Sequence, residues 1–94
     1  MDMQISCNLA DDSCLSEIAR CKVVVGAKQL RKALNSGSAQ RVYLARNADP
    51  ALTEPLFDLC QNKNVPVFCV STMAALGKAC GIEVGAAAAA ILHP

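Results

Sequence analysis

Three β-branched residues, Val23, Val24 and Val25, run into Gly26, and beyond it the apolar positions fall at Leu30, Ala33 and Leu34, the one-sided spacing of an amphipathic helix. A strand over Val23–Val25 and a helix over Ala27–Asn35 follow, the helix closing at Asn35-Ser36-Gly37, where glycine can take the left-handed conformation that caps the last carbonyls. Upstream, Asp11-Asp12-Ser13 offers N-caps to a short first helix that carries Leu15, Ile18 and Ala19 on one side and ends near Arg20. Downstream, Ser38 to Gln40 connect to a compact strand over Arg41–Ala45, and Asn47-Ala48-Asp49-Pro50 reads as a turn. A helix over Thr53–Asn62 is predicted next, with Thr53 as cap, Pro55 accepted in the first turn, and Leu56, Leu59 and Cys60 facing inward. A start at Pro50 would instead place a kink at Pro55. Val65–Val70 is a strand whose Pro66 suits an edge or a strand start. Ser71 caps a last helix through Ala79, with Met73, Leu76 and Cys80 on one side and Gly81 as the stop.

The stretch from Gly85 through five alanines to Ile91-Leu92 sets two principles against each other. Alanine is the best helix former, and propensity alone makes this segment helical. In an alternating α/β chain, however, a uniformly small, apolar run serves as a buried strand that lets helices approach closely on both faces. The alternation predicts a three-layer α-β-α sandwich around a four-stranded mixed sheet. Residues 11–94 form one domain, and residues 1–10, which show no clean period, read as an N-terminal arm, flexible or laid against the domain.

Composition narrows this picture. A chain of 94 residues with 53% hydrophobic and 18% charged residues can bury one core, and an aromatic content of 3% makes that core aliphatic. So few rings exclude the stacking platforms on which many single-strand nucleic-acid binders depend. The net charge of +1 implies no polyanion, but the charges are segregated. From Arg20 to Ala48 the chain carries Arg20, Lys22, Lys28, Arg31, Lys32, Arg41 and Arg46 and no acid, the footprint of a basic face. Lys28, Arg31 and Lys32 lie in the first turns of a helix, where exposed N–H groups and the macrodipole favour negative charge. A bound anion reverses that balance, since free N–H groups, a glycine and flanking cations together suit a phosphate; the alternative is a solvated basic face.

The six cysteines form no Cys-x-x-Cys, and the one histidine is His93. Cys7, Cys14 and Cys21 stand seven apart, a step of about 10 Å on a helix and too long for a bridge, so reduced buried thiols are expected rather than zinc or disulfides. No leader pattern or bilayer-length apolar run is evident, which predicts a cytoplasmic chain with no membrane partner. Neither a Walker-type loop nor a Cys-His pair nor an acid-base dyad is present, so no enzyme, cofactor or metal is expected.

VVVGAKQLRKAL, then ARNADP, then LGKACGIEVGAAAAAI resemble, in order and spacing, the kink-turn RNA-binding ribosomal proteins of the archaeal L-seven-Ae type and their small bacterial homologues. The resemblance runs from about Leu15 to Leu92, and Gly26-x-Lys28-Gln29 with Lys32 three residues on looks like a bacterial form of the family's binding motif. It implies binding to a kink-turn in ribosomal or regulatory RNA, a sharply bent duplex with a short bulge followed by sheared G·A pairs; the chain itself is expected to be a monomer. Carried over by position, Gly26 permits close backbone approach, Lys28 and Gln29 contact guanine edges, Lys32 contacts a base edge or phosphate, and Arg31 and Arg46 add cationic contacts. The loop Ile82-Glu83-Val84 sits over the flipped-out bulged nucleotide, although core packing of Ile82 and Val84 is an equal alternative. Archaeal relatives carry Asn-Glu where this chain has Lys28-Gln29, and a proline where it has Gly85. Neutral glutamine removes a repulsion from phosphate but also a carboxylate acceptor, so a different affinity and kink-turn class are expected. A protein-interaction adaptor on the same fold is the competing reading, because fold does not fix function.

Overall fold

Runs of strand formers alternating with one-sided helices assemble here into a single mixed sheet clothed on both faces. The computed structural model describes residues 8–9, 18 and 22–93. In chain order the elements are β1 (Asn8–Leu9), β2 (Val23–Val25), α1 (Ala27–Ser36), β3 (Ala39–Ala45), α2 (Pro50–Lys63), β4 (Val67–Val70), α3 (Met73–Ala79) and β5 (Ala88–Leu92). The strand order is β1-β4-β3-β5-β2, with β3 parallel to β4 and β5 antiparallel to both β3 and β2. The four expected strands are thus present, and two residues of the stretch read as an arm, Asn8 and Leu9, add in parallel beside β4. The rest of that stretch lies outside the described residues, as does the predicted first helix apart from Ile18, which is helical and fully buried.

Alternation along β3 divides the interior in two. Val42 and Leu44 face Leu30, Ala33 and Leu34 of α1 and Leu56, Phe57 and Cys60 of α2. Tyr43 and Ala45 face the other way, into a cluster with Ile18, Val70 and Leu76 of α3. The last three alanines of the run open strand β5, an interior strand between β3 and β2, with Ala88 and Ala90 in the first cluster and Ala89 in the second. All three are completely buried, so small side chains on both faces let the helices close in. Burial from two sides overrides the helical preference of alanine.

Strands β4 and β5 begin at Val67 and Ala88, later than the reading from Val65 and Gly85, and three further boundaries differ through capping or pairing. Helix α2 begins at Pro50, because Asp49 caps it: its Oδ1 accepts the N–H of Ala51 at 3.0 Å, and Pro50 occupies the first turn. Pro55 then lies inside the helix, where it withholds a donor from the Ala51 carbonyl; both residues are exposed, so water can take that place. Helix α3 is capped by Thr72 rather than Ser71, with Oγ1 accepting the Ala75 N–H at 3.0 Å. Strand β3 begins at Ala39, and Gln40 is the extra residue of a bulge against β5.

The thiols also divide. Cys60 is free and buried, which pushes its thiol up to about 11, and Cys80 is free and likewise raised by burial. Cys69, by contrast, is disulfide-bonded, against the expectation of reduced thiols throughout. The seven-residue spacing excluded a bridge along one helix only. It has no bearing on cysteines that strand pairing brings together, and Cys69 sits opposite Leu9 in the β1–β4 pair. Cys7, Cys14 and Cys21 lie outside the described residues.

Candidate functional site

Because β2, β3 and β4 all run the same way and β5 runs against them, Val25, Ala45, Val70 and Ala88 reach one end of the sheet. The segments that follow the first three strands and precede the fourth are tied together there by backbone bonds. Gly26 N–H donates to Ala88 O at 2.9 Å, Ala45 N–H to Ala87 O at 2.9 Å, and Arg46 N–H to Val70 O at 2.8 Å. The start of α1, the Arg46 loop and the loop of residues 81–87 therefore share one rim.

Gly26 forms the turn into α1 with φ 101 and ψ 152, a conformation essentially confined to glycine. A Cβ there would meet nothing within 4 Å, so the space before the helix is open. The first intrahelical bond runs from Leu30 N–H to Gly26 O at 2.9 Å, leaving Ala27, Lys28 and Gln29 without intrahelical acceptors for their N–H groups. No side chain caps this end, and its first turn holds no acid. Helices α2 and α3 are each capped by their own N-cap side chain. Leu30, Ala33 and Leu34 anchor α1 to the sheet, which turns Lys28, Gln29, Arg31 and Lys32 outward, and all four are exposed. Lys28, Arg31 and Lys32 follow the i, i+3, i+4 spacing of one helical face, with Gln29 beside them.

Arg46 is exposed immediately after β3. In the loop before β5, Glu83 and Val84 are exposed while Ile82 is half-buried against the α3 side of the core. Core packing thus holds for Ile82 and not for Val84. Val84, at 71% exposure, is the exposed large hydrophobic residue among those described. Of the residues expected to contact a nucleic acid, Gly26, Lys28, Gln29, Arg46, Glu83 and Val84 lie at this end of the sheet, Arg31 and Lys32 continue along the exposed face of α1, and Ile82 faces inward.

One contributor escaped the sequence reading. Asn47, read only as part of a turn, accepts the Met73 N–H on its Oδ1 at 2.8 Å and so fastens the Arg46 loop to the start of α3. Asparagine in a turn usually bonds its own backbone, and nothing in the local sequence distinguishes this partner 26 residues away. At the opposite end of the sheet a cleft of about 430 Å³ opens between the C-termini of α1 and α2, lined by Gly37, Gln40, Lys63, Asn64 and His93 among others. It contains none of the predicted site residues. Among the described residues no group of three or more His, Cys, Asp or Glu is placed to hold a metal, and no helix is long and apolar enough to cross a membrane.

A model of the ribosomal protein L7Ae/L30e/S12e/Gadd45 family matches residues 16–94. An RNA-binding protein of Bacillus pumilus is 50% identical over 70 residues, which is 74% of this chain and 85% of that protein. RNA-binding protein YbxF of Geobacillus stearothermophilus is 48% identical over 72 residues, 77% of this chain and 88% of the relative. Among solved structures, a 15.5kD RNA binding protein of Giardia lamblia superposes with a TM-score of 0.85 at 25% identity, covering 99% of this chain and 85% of that one. A protein of unknown function from Bacillus halodurans C gives a TM-score of 0.74 at 26% identity over 84% of this chain and 80% of its own.

Proposed function

Since the chain belongs to the ribosomal protein L7Ae/L30e/S12e/Gadd45 family, we propose that it is a ribosomal-type RNA-binding protein whose target is a kink-turn, gripped by the start of α1 and the loop before β5. The observation that carries this reading is the α1 N-terminus, open, uncapped and cationic, on the same rim as an exposed Arg46 and an outward Val84. The named relatives are described as RNA-binding proteins, which favours RNA over a protein partner for that rim.

The chemistry fits a distorted duplex. An ordinary A-form major groove is too narrow for side chains, but a kink opens it at the bend. Gly26 lets the RNA backbone approach, and the free N–H groups and dipole of α1 supply positive potential for phosphate. Lys28 can donate to guanine O6 and N7, and the Gln29 amide offers a donor and an acceptor on one group. Lys32 and Arg31 extend the cationic face one turn further, toward phosphates. Arg46 reaches the same groove from the next loop, and Val84 meets the unpaired nucleotide with an apolar surface. All segments come from one chain, so a monomer suffices, acting on ribosomal or regulatory RNA in the cytoplasm.

Wild-type protein is expected to bind a kink-turn hairpin at least about tenfold more tightly than the same hairpin with its G·A pairs replaced by Watson–Crick pairs. Lys32→Ala is expected to weaken binding and to reduce the slope of log affinity against log salt by about one. Equal affinity for the two hairpins at moderate salt rejects the proposal.

A further inference from the structure

Gly77 lies buried within α3, where a glycine costs about 1 kcal/mol relative to alanine. Its backbone is helical and makes no demand for positive φ. What alanine could not accommodate is its neighbour: a Cβ at Gly77 would collide with the Val84 carbonyl oxygen and stand 3.1 Å from Gly85 Cα. The loop after α3 is laid directly on that helix. Ile82 N–H donates to Gly77 O at 3.0 Å and Ala86 N–H to Met73 O at 3.0 Å, so both ends of the loop are bonded to the helix backbone. At Gly85 the reciprocal contact occurs, since a Cβ there would lie 3.1 Å from Met73 Cβ. With its carbonyl pressed against Gly77, Val84 has its side chain turned away from the helix and into the open.

We infer that Gly77 is a positioning residue for RNA recognition: the bare patch of helix on which the loop backbone rests, so that Val84 is presented at the rim shared with the start of α1. This rests on the RNA reading above. Any side chain at position 77 lifts the Val84 carbonyl, and because the loop is fastened at Ile82 and Ala86, the displacement falls on Glu83, Val84 and Gly85. Gly77 itself never reaches the nucleic acid.

The test uses the full chain and a kink-turn hairpin with 2-aminopurine at the bulged position. Gly77→Ala is expected to bind about tenfold more weakly, the size of one lost valine burial, and to lose most of the fluorescence change at the bulge. Its salt slope should remain that of wild type, because the contacts of α1 with phosphate are untouched. A second variant, with one glycine inserted between Val84 and Gly85, slackens the loop and leaves α3 intact; it should show the same selective loss, and it decides the matter if Gly77→Ala does not fold. Wild-type affinity and wild-type bulge signal in either folded variant overturn the inference alone, as does a loss of affinity accompanied by a reduced salt slope. Failure of wild-type protein to prefer the kinked hairpin overturns both this inference and the reading it rests on.

Discussion

Lys28→Glu combined with Lys32→Glu is expected to lower affinity for a kink-turn hairpin by about a hundredfold or more, the sum of two contacts each carrying on the order of 1–3 kcal/mol. The same protein should melt at or slightly above the wild-type temperature. The two signs are opposed for a reason visible in α1. Its first turn carries no acid and no capping side chain, so Lys28 works against the macrodipole and a glutamate in its place complements it. Both side chains are exposed and neither supports the core. Fluorescence anisotropy at fixed salt and a thermal melt read the two effects separately. Loss of folding together with binding would mean that these lysines serve the fold, and unchanged affinity would mean that another surface meets the RNA.

The largest effect on stability is expected at Leu30→Ala. Leu30 is wholly buried, between Gln29 and Arg31 in sequence, and packs with Leu34, Leu56, Val42 and Leu44. Removing a buried leucine side chain costs about 2–5 kcal/mol, a large part of the roughly 5–15 kcal/mol that holds a domain of this size together. A fall in melting temperature of roughly 10 °C or more follows. Because the exposed groups of α1 remain in place, affinity measured well below the transition should fall less than in the double charge reversal. The pair of experiments separates the inward face of α1, which holds the helix on the sheet, from the outward face, which is available to a ligand.

Much of this architecture was legible in the sequence because its signals are local and agree with one another. Val23–Val25, Gly26, the Leu30-Ala33-Leu34 stripe and Gly37 each mark the same strand, turn and helix, and the structure has them at those places. The outward placement of Lys28, Gln29, Arg31 and Lys32 follows from that stripe alone. Where signals competed, the tertiary setting decided. The end of the alanine run became a strand because two layers of helices cover it, and α2 took its start from Asp49-Pro50 because a side-chain cap outweighs Pro55, which deprives only the carbonyl of the exposed Ala51 of its donor. Features that require distant segments to meet had no local trace. The Asn47–Met73 bond, the seat of Val84 on Gly77 and the bonded state of Cys69 belong to this class. Spacing along the chain excludes only bridges within one element.

We propose that the start of α1, the Arg46 loop and the loop before β5 act as a single RNA-facing rim. Titrating ¹⁵N-labelled protein with a kink-turn hairpin tests it most directly. The account predicts that amide shifts concentrate at Gly26, Lys28, Gln29, Lys32, Arg46, Glu83 and Val84. Shifts confined to the far cleft, at Gly37, Gln40, Asn64 and His93, with the rim unperturbed, would contradict it.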